Sequence, residues 1–183
     1  MLRRILALLL LILLTPLLIL VSVIIYWDDK SPILFKQERI GCNNSIFWIY
    51  KFRTMKNGIP DIPTHLVLSP NLSYTKSGPL LRRLSIDELP QLINIIFGEM
   101  VFIGPRPALH NQSDLIELRS NVGVHKLIPG VTGWAQINGR DKMSIVDKVK
   151  YDEYYLLNQS FYLDLKIMFM TVFKVFRMHG VSH

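Results

Sequence analysis

A single cysteine, Cys42, occurs in 183 residues. That excludes an intrachain disulfide and a thiolate metal cluster, and it suits a reducing compartment. The five histidines (His65, His110, His125, His179 and His183) form no recognised metal-ligand motif. There is no internal repeat and no low-complexity tract. Acidic residues are few, 14 against 21 Lys+Arg, which leaves a formal charge of +7. A basic balance of this kind suits anionic partners: nucleic acid, phosphorylated substrates or an anionic membrane surface. Nucleic acid is the least supported of the three, because no recognition module and no basic stripe is present.

Apolar residues are plentiful, making up half of the chain. From Ile5 to Tyr26 only Thr15, Pro16 and Ser22 interrupt an apolar run. As a helix this run measures about 33 Å, enough to cross a bilayer. It is too long for a signal peptide, and no small-residue cleavage site follows it. Arg3 and Arg4 precede the run, and Lys30, Lys36, Arg39, Lys51 and Arg53 follow it. The positive-inside tendency draws both flanks to the cytoplasmic side, which one straight span cannot satisfy. Thr15-Pro16 stands at the midpoint, where proline removes a backbone donor and kinks or breaks a helix. The residues alone leave two forms open, a span with a tolerated proline and a re-entrant helix-break-helix. Four Asn-x-Ser triplets, at Asn43, Asn71, Asn111 and Asn158, matter only for an exported domain and are taken as chance.

The length of the remainder fits one domain. "ILFKQERIG" (33–41) and "IFWIYKFRTM" (46–55) read as two short strands joined by turn-prone "GCNNS". Residues 56–75, with three prolines, predict a long loop. A short helix is expected at 78–85, with Pro79 in its first turn. A helix over about 87–97 ends at Gly98, a strand follows at 100–103, and another helix at 112–121. "IPGVTGWAQINGRD" (128–141), with its glycines, has the look of a shaped binding loop. Helices are expected at 144–157 and 161–178. The last is mostly apolar, with Thr171, Lys174 and Arg177 recurring every three residues. Such a helix is either interfacial or a core helix with a solvated edge.

Two adjacent carboxylates, Asp87 and Glu88, open the 87–97 helix, with Arg82 and Arg83 just before them and Arg106 set between Pro105 and Pro107. Ser85 and Glu88 have capping-box spacing, although Pro90 then falls where an N–H is needed; Asp87 is the alternative cap. Two acids do not bind a phosphate unaided, but Mg²⁺ takes one or two carboxylates together with phosphate oxygens. A carboxylate also serves as a nucleophile toward phosphorus, and arginine stabilises the charge that develops. Lys51 and Arg53 in "KFRTM" are further basic candidates.

The stretches "LLTPLLIL", "SPILFKQERIG", "YKFRTM", "LRRLSIDELPQLINIIFGEMVFIGPRP", "PGVTGWAQINGRD" and "FYLDLKIMFMTVFKVF" run through nearly the whole chain. In this order they closely resemble the monotopic polyprenyl-phosphate phosphoglycosyl transferases, the bacterial sugar transferase family in its small single-domain form. The resemblance implies a helix-rich α/β fold with interfacial helices. It implies a re-entrant membrane anchor at 1–27, broken at Thr15-Pro16, and a catalytic domain at 28–183 facing the cytoplasm from the inner membrane of a bacterium. It further implies transfer of a phosphosugar from a UDP-sugar to polyprenyl (undecaprenyl) phosphate with release of UMP, by a ping-pong route, as the first membrane step of glycoconjugate synthesis.

On the matching positions, Asp87 is the implied nucleophile and Glu88 the acid that holds Mg²⁺, with Asp87 beside it. Arg82, Arg106 and Lys51 are implied phosphate contacts, and Arg53, Arg83, Gln136 and Arg140 are further candidates for substrate contacts. A homodimer, a one-step transfer with Asp87 as base or metal ligand, and a non-enzymatic lipid-binding anchor stand beside this expectation. The sugar itself is not legible in the sequence.

Overall fold

The computed structural model describes residues 1–56, 73–139 and 143–177, of which 175–177 by backbone alone. The glycine-free N-terminal run folds as one helix, α1 (Leu2–Asp29). It is the one helix among the described residues that is long and apolar enough to cross a membrane. The expected break does not interrupt it, since Pro16 lies inside the helix. The cost there is a single lost bond to the Ile12 carbonyl, while the Thr15 hydroxyl donates to the Leu11 carbonyl at 2.9 Å. Packing on both sides of the proline holds the two halves in register. Ala7, Leu11, Leu14, Leu18, Val21 and Ile25 recur at alternating intervals of four and three and form one stripe. The first half of the stripe meets Phe47, Ile49, Leu92, Ile95 and Met100. The second half meets Phe52, Leu81, Ile33 and Ile86. Leu6, Leu9, Leu13, Leu20 and Trp27, on the other side, are exposed.

The predicted strands form an antiparallel hairpin, β1 (Leu34–Ile40) and β2 (Ile46–Phe52), in register from Leu34 opposite Phe52 to Ile40 opposite Ile46. Its turn carries Asn43 and Asn44 at positive φ, which asparagine tolerates well. After the hairpin come α2 (Gly78–Arg83), a 3₁₀ turn (Ile86–Gln91) and α3 (Leu92–Phe97). The expected single helix at 87–97 is therefore split. Ser85 adopts φ 55°, ψ 21° and makes no side-chain cap bond, which rules out the capping box. With Ser85 left-handed the chain re-enters through a tight turn, and Pro90 sits in that turn without breaking a ladder. Gly98, at φ 85°, ends α3 as expected. Asn94, fully buried, ties α3 to the hairpin by donating to the Trp48 carbonyl at 2.7 Å and accepting from the Tyr50 N–H at 3.2 Å.

Two short parallel strands, β3 (Val101–Ile103) and β4 (Gly130–Thr132), form a second sheet. Part of the expected 128–141 loop is thus regular: β4 leads into a short helix, α5 (Trp134–Asn138). Its glycines serve close backbone approach. A Cβ at Gly130 would sit 2.1 Å from the Gly104 nitrogen, and one at Gly133 would sit 2.1 Å from the Gly104 oxygen.

Three helices complete the fold: α4 (Ser113–Asn121), α6 (Ile145–Leu157) and α7 (Phe161–Arg177). Ser144 caps α6 by accepting from the Asp147 N–H at 3.1 Å. On α7, Thr171 and Lys174 face inward, while Lys166 is exposed. Thr171 Oγ1 lies 2.7 Å from Thr132 Oγ1, and Lys174 Nζ donates to the Ile137 carbonyl. Leu163 and Ile167 are buried, while Phe161, Tyr162, Phe169, Val172 and Phe173 are exposed. The fold is helix-rich, as expected, and carries two small sheets.

Candidate active site

The strand β2, the 3₁₀ turn and the loop after β3 bring Lys51, Asp87, Glu88 and Arg106 together. β2 ends in "YKF", and Lys51 reaches from it to Glu88, with Nζ 2.8 Å from Oε1. Arg106 reaches the same oxygen from the opposite chain segment, with Nη1 at 3.3 Å. Asp87 is only 7% exposed. Burial first, and then the neighbouring Glu88 charge, push its carboxyl up to about 6. Lys51, Arg82 and Arg106 oppose that rise through their positive charge, which places all three within electrostatic reach. Burial pushes Lys51 below the ordinary lysine range, with Glu88 acting against the shift.

Arg82, in the last turn of α2, donates to the Tyr74 hydroxyl at 2.8 Å, and its guanidinium lies 5.1 Å from that ring's centroid. Tyr74 thus holds Arg82 at the edge of the site. The result is a buried carboxyl with a raised pKa, a second carboxylate held by two cations, and a third cation beside them. This arrangement stabilises negative charge on a bound group while keeping one carboxylate little solvated.

A family model described as bacterial sugar transferase matches residues 1–178. The chain belongs to the bacterial sugar transferase family. It is thus a phosphoglycosyl transferase, as the motifs lead one to expect.

An uncharacterized sugar transferase of Bacillus subtilis (strain 168), EpsL, is 45% identical over 152 residues, covering 83% of this chain and 74% of that protein. The UDP-glucose:undecaprenyl-phosphate glucose-1-phosphate transferase of Klebsiella pneumoniae is 38% identical over 175 residues, covering 92% of this chain and 38% of that protein. The undecaprenyl-phosphate glucose phosphotransferase of Komagataeibacter xylinus is 41% identical over 180 residues, covering 90% of this chain and 33% of that protein. The chain therefore spans about three-quarters of the first relative and about a third of the other two.

The remaining sequence candidates of this sugar transferase fall in different places. Arg53 is buried and turned to the end of α1, where it donates to the Asp29 carbonyl at 2.7 Å and pairs with the Asp29 carboxylate at 3.2 Å. These contacts make it a joint between the N-terminal helix and β2. Arg83 is exposed on α2. Gln136, on α5, has both amide atoms buried without a hydrogen-bond partner, which leaves it able to serve a bound group. Arg140 and most of the expected 56–75 loop lie outside the described residues.

Among the described residues no group of three or more His, Cys, Asp or Glu is placed to hold a metal ion. The two carboxylates of Asp87 and Glu88 are the donors on hand. That set fits a hard divalent cation whose remaining ligands are phosphate oxygens and water. Tyr74, against Arg82, and Arg119 and Asp152, behind the Arg106 backbone, carried no sign in the sequence. Arg39 stands in "FKQERIG", whose motif marked the stretch but gave that residue no role.

Proposed function

We propose that this sugar transferase passes a phosphosugar from a UDP-sugar to polyprenyl phosphate in two displacements through Asp87. The observation that carries this is the setting of Asp87, a buried carboxyl with a raised pKa, next to a Glu88 held by Lys51 and Arg106. A poorly solvated carboxylate is a better nucleophile than one in water. The relatives' names add the acceptor class, since two of them are undecaprenyl-phosphate sugar phosphotransferases.

In the first displacement an Asp87 carboxylate oxygen forms a bond to the sugar-proximal phosphorus. The bond from that phosphorus to the bridging oxygen breaks, and UMP leaves with the bridging oxygen. In the second, an oxygen of polyprenyl phosphate bonds to the same phosphorus and the aspartyl oxygen departs as carboxylate. Arg106 and Arg82 neutralise the phosphoryl oxygens as charge builds on them. Lys51 holds Glu88 in place. Mg²⁺, held by Glu88 and Asp87, supplies Lewis-acid neutralisation of the diphosphate when bound.

The exposed apolar faces of α1 and α7 fit a bilayer surface. Thr171 and Lys174 of α7 are turned inward, and its outer face offers Phe161, Phe169 and Phe173 to lipid, with Lys166 beside them. α1 is packed along the domain from Ala7 to Ile25. A straight transmembrane course for α1 would drag β2 and α3 into the hydrocarbon, and a course within one leaflet would not. This supports a monotopic enzyme at the cytoplasmic face of a bacterial inner membrane, starting a glycan on its lipid carrier.

The raised carboxyl of Asp87 also suits a general base in a one-step transfer. Purified protein with Mg²⁺ and a panel of UDP-sugars separates the two. Ping-pong initial-rate patterns, with UMP released from one sugar donor in the absence of acceptor, support the two-step route. UMP that appears only with polyprenyl phosphate contradicts it.

A further inference from the structure

The loop that presents Arg106 is poor in donors of its own, because Pro105 and Pro107 have no N–H. It is held through its carbonyls, and four in succession are occupied. The Pro105 carbonyl accepts from the Gly130 N–H at 2.9 Å, and the Ala108 carbonyl from the Ile40 N–H at 2.9 Å. Between them the donors are side chains. Arg119 Nη1 donates to the Arg106 carbonyl at 2.8 Å, and Arg39 Nη1 to the Pro107 carbonyl at 3.1 Å.

Arg119 is itself fixed. Its Nε and Nη2 donate to Asp152 Oδ2 at 3.0 Å and 2.6 Å, joining α4 to α6. Asp152 is 1% exposed, and Arg119 is buried with it. A buried ion pair contributes little to stability compared with apolar residues of similar volume. The same two helices already meet through Leu115 and Val149. What an apolar pair cannot do is donate to the Arg106 carbonyl. Arg106, meanwhile, keeps a partly exposed side chain on a fixed backbone, with Nη1 at Glu88.

Building on the proposed function, we infer that Arg119, oriented by Asp152, is a positioning residue for phosphoryl transfer. It fixes the peptide from which Arg106 reaches the site, and it touches no reacting atom itself. A displacement of about 1 Å in such a group costs as much as 10²-fold in rate. The fork of Arg119 serves Asp152 and the Arg106 carbonyl together, whereas a lysine ammonium on a flexible stem does not reproduce that geometry.

The test is a mutant cycle on full-length protein, with UMP release from the active UDP-sugar as the readout. Arg119→Lys is expected to lower kcat at least 10-fold with KM little changed. In an Arg106→Ala background it is expected to cause less than a 2-fold further loss. Leu115→Ala, a destabilising change on the same helix, should leave kcat unchanged below its melting temperature. Should Arg119→Lys fail to fold, Asp152→Asn replaces it in the cycle with the same expectations. Equal fold-losses in both backgrounds, or no loss in either, overturn the inference. A wild-type protein that releases no UMP from any UDP-sugar overturns the proposed function, and with it the step that Arg119 is said to position.

Discussion

Lys51 Nζ and Glu88 Oε1 lie 2.8 Å apart, with their side chains 13% and 12% exposed. Breaking a pair this enclosed leaves a little-solvated carboxylate to the more distant Arg106. Lys51→Met is expected to cost about 3 kcal/mol in urea unfolding. Lys51→Met with Glu88→Gln should recover at least half of that loss, because the enclosed carboxylate is removed together with its lysine, and Arg106, 35% exposed, is left at the solvent side. The double variant should still fail to release UMP. Recovery of activity along with stability would show the pair to be structural only.

Asp87 carries the opposite sign of linkage from an ordinary salt-bridged acid. Its folded pKa of about 6 lies above its ordinary 3.8, so the folded state binds the proton more tightly. Ionised Asp87 therefore opposes folding. The penalty is absent below the lower value, grows as pH rises through the interval, and is complete above about 6. Asp87→Asn should stabilise the protein by on the order of 2 kcal/mol at pH 7.5 and by nothing measurable at pH 3.5. Melting curves at the two pH values check this. Equal Tm for variant and wild type at pH 7.5 would contradict the burial of the charge.

The same group sets the acid limb of the reaction. The UMP-releasing half-reaction should rise with pH and then level off, with a midpoint no higher than about 6, since Mg²⁺ beside Asp87 adds positive charge. Burial of Lys51 should also bring an alkaline decline in below the ordinary lysine range. A rate that falls as pH rises from 4.5 to 7 would contradict Asp87 as nucleophile.

Removal of residues 1–27 should not yield a well-folded catalytic domain. Ala7, Val21 and Ile25 are buried against Ile95, Phe47, Phe52 and Leu81, so deletion uncovers the core of the hairpin and of α3. Ala7→Phe, at a fully buried position, should cost about 1–3 kcal/mol by overpacking. A truncated protein with a cooperative melt and native Tm would show that the helix is only an anchor.

Local chemistry was legible in the chain, and long-range pairing was not. The hairpin and the helix stop at Gly98 follow from residues within a few positions of one another. The acidic pair stood out because its two members are adjacent, and the proline-flanked arginine because its neighbours are distinctive. Ser85 misled, since its capping-box spacing says nothing of its left-handed backbone. β4 was hidden inside a glycine-rich stretch whose glycines serve backbone contact with Gly104. Arg119 and Asp152 are 33 residues apart, and Arg39 and Pro107 are 68 apart. No periodicity joins such partners. The polar stripe on α7 was visible, but whether it faced solvent or the domain was decided by Thr132 and the Ile137 carbonyl.

The central claim is that phosphorus becomes bonded to the Asp87 carboxylate during turnover. Rapid quench of the protein with Mg²⁺ and its UDP-sugar, without acceptor, followed by peptide mass spectrometry, tests it most directly. The predicted result is the mass of one phosphosugar on the peptide containing residue 87, absent in Asp87→Asn and discharged by polyprenyl phosphate. Steady turnover with no such adduct, or an adduct that survives in Asp87→Asn, would contradict it.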